Sequence, residues 1–126
     1  MKNPNDGFLR GRLRSLKFAL KGTWLLITTE DSIKAQLFFG IVAVIMGFYF
    51  SISPVEWMIQ LLCIALVLVA ESLNTAIEKT ADFVHPDYHK KIGFIKDIAA
   101  GAPAFAAIFA FIIAAIIYTP KILELF

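Results

Sequence analysis

The sequence predicts an all-α membrane protein, with one amphipathic helix on the membrane surface followed by three transmembrane helices. Three observations carry this. The 126 residues are 59% hydrophobic and only 17% charged, with a mean hydropathy of +0.74, the profile of a small integral membrane protein rather than of a soluble core. The charges are segregated, so that a run such as AQLFFGIVAVIMGFYF (35–50) holds none. At the N-terminus, arginines and lysines alternate with large apolar residues at helical spacing. The length suits one domain, 1–126, and not two. A small net charge of +2, with no basic low-complexity run, gives a nucleic-acid partner no footing.

Residues 1–33 form the surface segment. MKNPNDGFLRGRLRSLKFALKG lacks the apolar stretch and small-residue cleavage site of a signal peptide. Phe8, Leu9, Leu13, Leu16, Leu20 and Trp24 recur at helical spacing, with Arg10, Arg12, Arg14, Lys17 and Lys21 between them. Such a helix rests in the headgroup layer and is drawn to anionic lipid. The same pattern would also serve a cytosolic helix packed on the rest of the protein. In TTEDSIK, Thr29 or Asp31 is placed to cap the next helix.

Residues 34–50 form the first span, long enough with its ends to cross a hydrocarbon core of about 30 Å. SISP (51–54) is a turn, and Pro54 suits the first turn of a helix. The second span, 55–82, opens with an apolar run and meets no glycine or proline before Asp82. Cys63, the one cysteine, can form no intrachain disulfide and reads as a small apolar residue. VHPDYHKKIGF (84–94) carries the connection to the third span, 92–118, which Pro120 and Lys121 close. Pro103, inside that span, removes a backbone donor and predicts a bend.

Basic residues set the orientation. Residues 1–34 carry seven of the twelve lysines and arginines, residues 79–96 carry four more, and the last is Lys121. The positive-inside rule therefore places the N-terminus and the 83–93 loop in the cytoplasm and the C-terminus outside.

One stretch breaks the apolar pattern. ESLNTAIEKTAD (71–82) puts Glu71, Asn74, Glu78 and Asp82 on a helix that began as a membrane span. At 100° per residue they fall within an arc of about 80°, and Glu71 lies about 10 Å deeper than Glu78. Charged groups at such depth are costly and face a protein interior or a wet cavity. Graded hard oxygen ligands suit Mg²⁺, which keeps waters and shares its coordination with phosphates. The third span opens with Lys96 and Asp97, then AAGAPAFAA, small residues that allow close helix packing. Lys96 could hold a phosphate, or could pair with one of the acids and merely let the helices assemble. His85 and His89 in the polar loop read as solvated on this evidence alone.

ESLNTAIEKTAD, followed by DYH and then KD at the head of an apolar helix, resembles the prokaryotic diacylglycerol kinase family, which includes undecaprenol kinases. The likeness runs from the basic start through all three spans. It implies a homotrimer in the bacterial cytoplasmic membrane that phosphorylates the hydroxyl of a lipid alcohol with ATP and Mg²⁺. By resemblance, Glu71 is the catalytic base, and Glu30 and Glu78 are the metal ligands. Arg10, Lys21, Asn74, Lys96, Asp97 and the Asp87-Tyr88-His89 segment belong to the nucleotide site. KDIAAGA (96–102), with Ala100 where the diacylglycerol branch tends to have serine, looks more like the undecaprenol branch, and Ala100 falls at the lipid substrate. The rival from another class is a small proton-coupled exporter with an intramembrane glutamate, which needs neither several graded acids nor a Lys-Asp pair.

Overall fold

The computed structural model describes residues 3–126, so the first two residues of the 1–33 segment lie outside it. Among the described residues the structure is all helical: α1 (Phe8–Thr29), α2 (Asp31–Tyr49), α3 (Pro54–Val84) and α4 (Lys90–Leu123). By length and composition, α2, α3 and α4 could each cross a membrane.

The amphipathic α1 buries none of its residues, and Phe8, Leu9, Leu13, Leu16, Leu20 and Trp24 are all exposed. Its apolar side is therefore uncovered within the chain, as expected of a helix whose partner is the membrane surface. A single residue separates α1 from α2. Glu30 is extended (φ −104°, ψ 115°), donates its N–H to the Leu26 carbonyl and accepts from the Lys34 N–H. Neither Thr29 nor Asp31 caps α2. Glu30 holds the N-cap position without a side-chain cap, because its carboxylate is turned towards α3.

The α2–α3 turn places Ser51 at a positive φ of 50°. A full capping box then starts α3: Glu56 N–H donates to the Ser53 hydroxyl at 3.2 Å, and Ser53 N–H donates to Glu56 Oε1 at 3.0 Å. Pro54 stands in its first turn, as expected. The helix then runs unbroken for 31 residues, about 46 Å. The connection to α4 is only residues 85–89, because His89 caps α4 by accepting the Lys91 N–H at 3.0 Å.

At its far end α4 does not close at Pro120 but continues to Leu123. Lys121 reaches Glu56 at 3.0 and 3.2 Å, tying this last turn to the start of α3. Pro103 sits buried in a helix that remains continuous around it.

Packing follows a seven-residue period. The buried positions include Ile33, Gly40 and Gly47 on α2, and Gln60, Val67, Asn74 and Ala81 on α3, with Thr75 beside Asn74 outside the repeat. On α4, Ala99 and Ala106 repeat the interval. This is the spacing of a left-handed helix pair, with small side chains letting the backbones approach. At Gly47 an added Cβ would stand 2.7 Å from the Trp57 ring.

Near the α2–α3 turn, Ile52, Ile117 and Tyr118 form a small apolar core around a polar knot. Gln60 Nε2 donates to the Ala43 carbonyl at 3.1 Å, and the Tyr118 hydroxyl donates to Gln60 Oε1 and lies 3.2 Å from the same carbonyl. Gln60 and Tyr118 are 6% and 4% exposed, so neither can turn to water instead. Tyr118→Phe should therefore leave the Gln60 oxygen unpaired and cost about 1–3 kcal/mol. The measurement is thermal unfolding in detergent. Adding Gln60→Leu should recover part of the loss, and a Tyr118→Phe protein as stable as the parent would contradict the assignment.

Candidate active site

The polar stripe lies on the half of α3 remote from this knot. Measured from Pro54, Glu71 stands about 26 Å along the axis, Glu78 about 36 Å and Asp82 about 42 Å. With Pro54 set at one edge of a hydrocarbon core of about 30 Å, Glu71 would fall near the other edge and the other two beyond it.

Asn74 is buried at 6% exposure and donates from Nδ2 to Glu78 Oε1 at 3.3 Å. Its Oδ1 is buried without a partner among the described residues. Glu71 and Glu78 are half-buried. Glu71 makes no hydrogen bond or ion pair through its side chain among the described residues, an expensive arrangement for a carboxylate at this depth. Asp82 is exposed and pairs with Lys96 of α4 at 2.6 Å. Lys96 thus bridges α3 and α4 through Asp82, and it also feels the charge of Glu78.

Asp97 and Ala100 are exposed on α4. Asp87, Tyr88 and His89 fill the exposed α3–α4 connection, where the Asp87 carbonyl lies 2.7 Å from His85 Nδ1. The His85 and His89 rings meet edge to face with centroids 5.4 Å apart, giving His85 the neighbour that the sequence did not suggest. On α1, Arg10 is paired with Asp6 at 3.7 Å, and Lys21 is exposed with no ion pair among the described residues. Within one chain, neither makes a polar contact with the stripe on α3.

Glu30 does reach α3, at the residue next to Glu78. Its Oε1 lies 3.1 Å from Lys79 Nζ and 3.0 Å from the Thr29 hydroxyl. The ammonium first, and the hydroxyl second, hold the Glu30 carboxyl below the usual carboxylate range, so it is charged at neutral pH. Because Lys79 follows Glu78 directly, the pair brings the break between α1 and α2 to the level of Glu78. Lys79 was not legible as a site residue, since its partner lies far away in the sequence and its neighbour Glu78 draws the eye.

The family model for prokaryotic diacylglycerol kinase matches residues 17–118. The chain belongs to the prokaryotic diacylglycerol kinase family. It is a lipid kinase, which decides against the exporter. The chain is similar to the undecaprenol kinase of Bacillus subtilis (strain 168), 35% identical over 109 residues, covering 86% of this chain and 89% of that one. It is 30% identical to a diacylglycerol kinase of Synechocystis over 114 residues, covering 90% of this chain and 65% of the relative. With the diacylglycerol kinase of Escherichia coli K12 it shares 26% identity over 112 residues, 89% and 91% of the two chains.

For a kinase of this family, the carboxylates present suit a hard divalent cation. Among the described residues no three His, Cys, Asp or Glu side chains gather into a cage. Mg²⁺ in nucleotide sites is commonly held by one or two carboxylates and by the phosphates themselves, and does not call for such a cage.

Proposed function

We propose that the chain transfers the γ-phosphoryl group of ATP to the hydroxyl of a membrane lipid alcohol, undecaprenol in preference to diacylglycerol, at the cytoplasmic face of the bacterial membrane. The observation that carries this is the depth grading of α3: an unpaired, half-buried Glu71 at the membrane boundary, with Glu78 two turns nearer the water. Undecaprenol is favoured by Ala100 within KDIAAGA and by the likeness to the Bacillus subtilis undecaprenol kinase.

The chemistry needs positioning and charge neutralisation more than covalent help. Glu71 takes the proton of the lipid hydroxyl while that oxygen bonds to the γ-phosphorus and the bond to the ADP oxygen breaks. Glu30 and Glu78 are the residues that would hold Mg²⁺, which when bound draws off negative charge from the phosphates. Asn74 orients Glu78, and Lys96 offers a positive charge beside it. Asp97, with Asp87, Tyr88 and His89, borders the nucleotide, and Arg10 and Lys21 approach it from the surface helix. Ala100 lies against the lipid. An apolar cavity of about 300 Å³ between α2, α3 and α4, lined by Gly40, Ile64, Val67, Phe111 and Ala114 among others, is suited to an apolar chain.

A homotrimer is part of the same reading. Three helices leave the stripe incompletely enclosed, and irregular or polar surface at membrane depth calls for protein cover. The exposed Arg10 and Lys21 and the unpartnered Asn74 oxygen are consistent with a site finished by a neighbouring protomer.

Membrane vesicles test both chemistry and orientation. With radiolabelled ATP added outside, inverted vesicles should label undecaprenol faster than diacylglycerol, and sealed right-side-out vesicles should label neither. Labelling of diacylglycerol alone would refute the substrate, equal labelling by both vesicle types the orientation, and no labelling of any lipid alcohol the reaction.

A further inference from the structure

We propose that Lys79 is an exchangeable counter-ion for Glu30: it occupies the carboxylate until a metal–nucleotide complex arrives, then passes to the phosphates of that nucleotide. The inference deepens the reading of Glu30 as a metal ligand and rests on it.

Three features of the structure lead there. Glu30 is the one residue between two helices, so its backbone is positioned by α1 and α2 together while its side chain reaches α3. The Lys79 contact falls on Oε1 of a carboxylate whose side chain is only 19% exposed, whereas the Lys79 side chain is 65% exposed. The lysine is therefore the mobile partner and the glutamate the fixed one. Lys34, the other ammonium acting on Glu30, lies closer to Asp31, at 3.6 Å.

An ion pair with one partner largely in water contributes little to stability, so holding α3 against the α1–α2 break is a poor account of this one. Its effect on a competing cation is more specific. A bare divalent ion must displace the ammonium and leave it without a partner. A metal–nucleotide complex brings phosphate oxygens that can receive it, and a flexible ammonium with three donors can follow them. Lys79 thereby favours the metal–nucleotide complex over the free metal at Glu30.

The test is Mn²⁺ binding followed by electron paramagnetic resonance, with and without a non-hydrolysable ATP analogue. The purified full-length parent, Lys79→Met, Glu30→Gln and the double variant are compared. Lys79→Met should bind bare Mn²⁺ about two- to fivefold more tightly, the shift expected from one screened ion pair. Its affinity for the Mn²⁺–analogue complex should stay level or fall, so the preference for the complex shrinks. In the Glu30→Gln background Lys79→Met should change nothing. Bare Mn²⁺ affinity in Lys79→Met that is equal to or weaker than the parent's overturns the proposal while leaving the metal assignment standing. Parental Mn²⁺ affinity in Glu30→Gln overturns both. Lys79→Gln gives a second reading of the same exchange, and thermal unfolding of each variant checks that fold is not the variable.

Discussion

Glu71→Gln protein is expected to fold, bind ATP and transfer phosphate about 10²- to 10⁴-fold more slowly, the range for losing general acid–base assistance. The geometry separates this outcome from a folding defect. Glu71 is half-buried and bonded to no other side chain among the described residues, so no contact is lost on substitution. The amide is nearly isosteric and removes a charge that is costly to keep at this depth, so thermal stability should hold or rise. Nucleotide affinity should persist, because Glu71 lies about 10 Å below Glu78 along α3. Stability, ATP binding and lipid phosphorylation measured on one purified sample decide the matter. A stable Glu71→Gln protein that phosphorylates lipid at the parental rate would remove Glu71 from the chemistry. A variant that misassembles, with activity falling only in step with folded protein, would make its role structural.

Glu78→Gln should have the next largest effect, and on a different quantity. The glutamine oxygen can still accept from Asn74 Nδ2, now at 3.3 Å from Glu78 Oε1, so the buried amide keeps its partner. What disappears is the negative charge proposed to face the cation. A hydrogen bond or contact to a charged group contributes about 1.5–3 kcal/mol, so Mg²⁺–nucleotide affinity should fall about 10- to 100-fold. Calorimetric titration with a non-hydrolysable analogue in Mg²⁺ and in its absence would measure this. The loss should be confined to the titration with metal. An equal loss in both would mean that Glu78 acts on the nucleotide rather than through the metal.

Much of this site could be read along the chain because its signal is local. Glu71, Asn74, Glu78 and Asp82 recur on one helical face within an apolar helix, and few polar residues elsewhere compete with them. The spans were legible for the same reason, as was the turn at Ser53 and Pro54, where the capping residues are adjacent in sequence. What escaped is built from distant partners. TTEDSIK announces a helix boundary, but not that Glu30 itself takes the break and turns its carboxylate to Lys79 on α3. Gln60 and Tyr118 are each unremarkable in an apolar run, and meet across 58 positions. The small-residue seam at Gly40 and Gly47 is visible only once the helix facing it is known. Lys96 illustrates the middle case. Its position beside the acids was expected, yet which acid it meets, Asp82, is decided by how α3 and α4 cross.

The knot of Gln60, Tyr118 and the Ala43 carbonyl also makes the bundle a pair of tongs. It fastens α2, α3 and α4 at one end, and Lys121 on Glu56 adds a clasp nearby. The opposite end carries an unpaired glutamate and salt bridges open to water. Any relative swing of the helices would be levered on the fastened end, with α3 as the arm. Asp82 lies about 33 Å from Gln60 and Glu71 about 16 Å, so a swing of about 5° moves the tip by about 3 Å and the level of Glu71 by only about 1.5 Å. A swing of that size would change the width of the acidic end while leaving Glu71 at nearly the same depth.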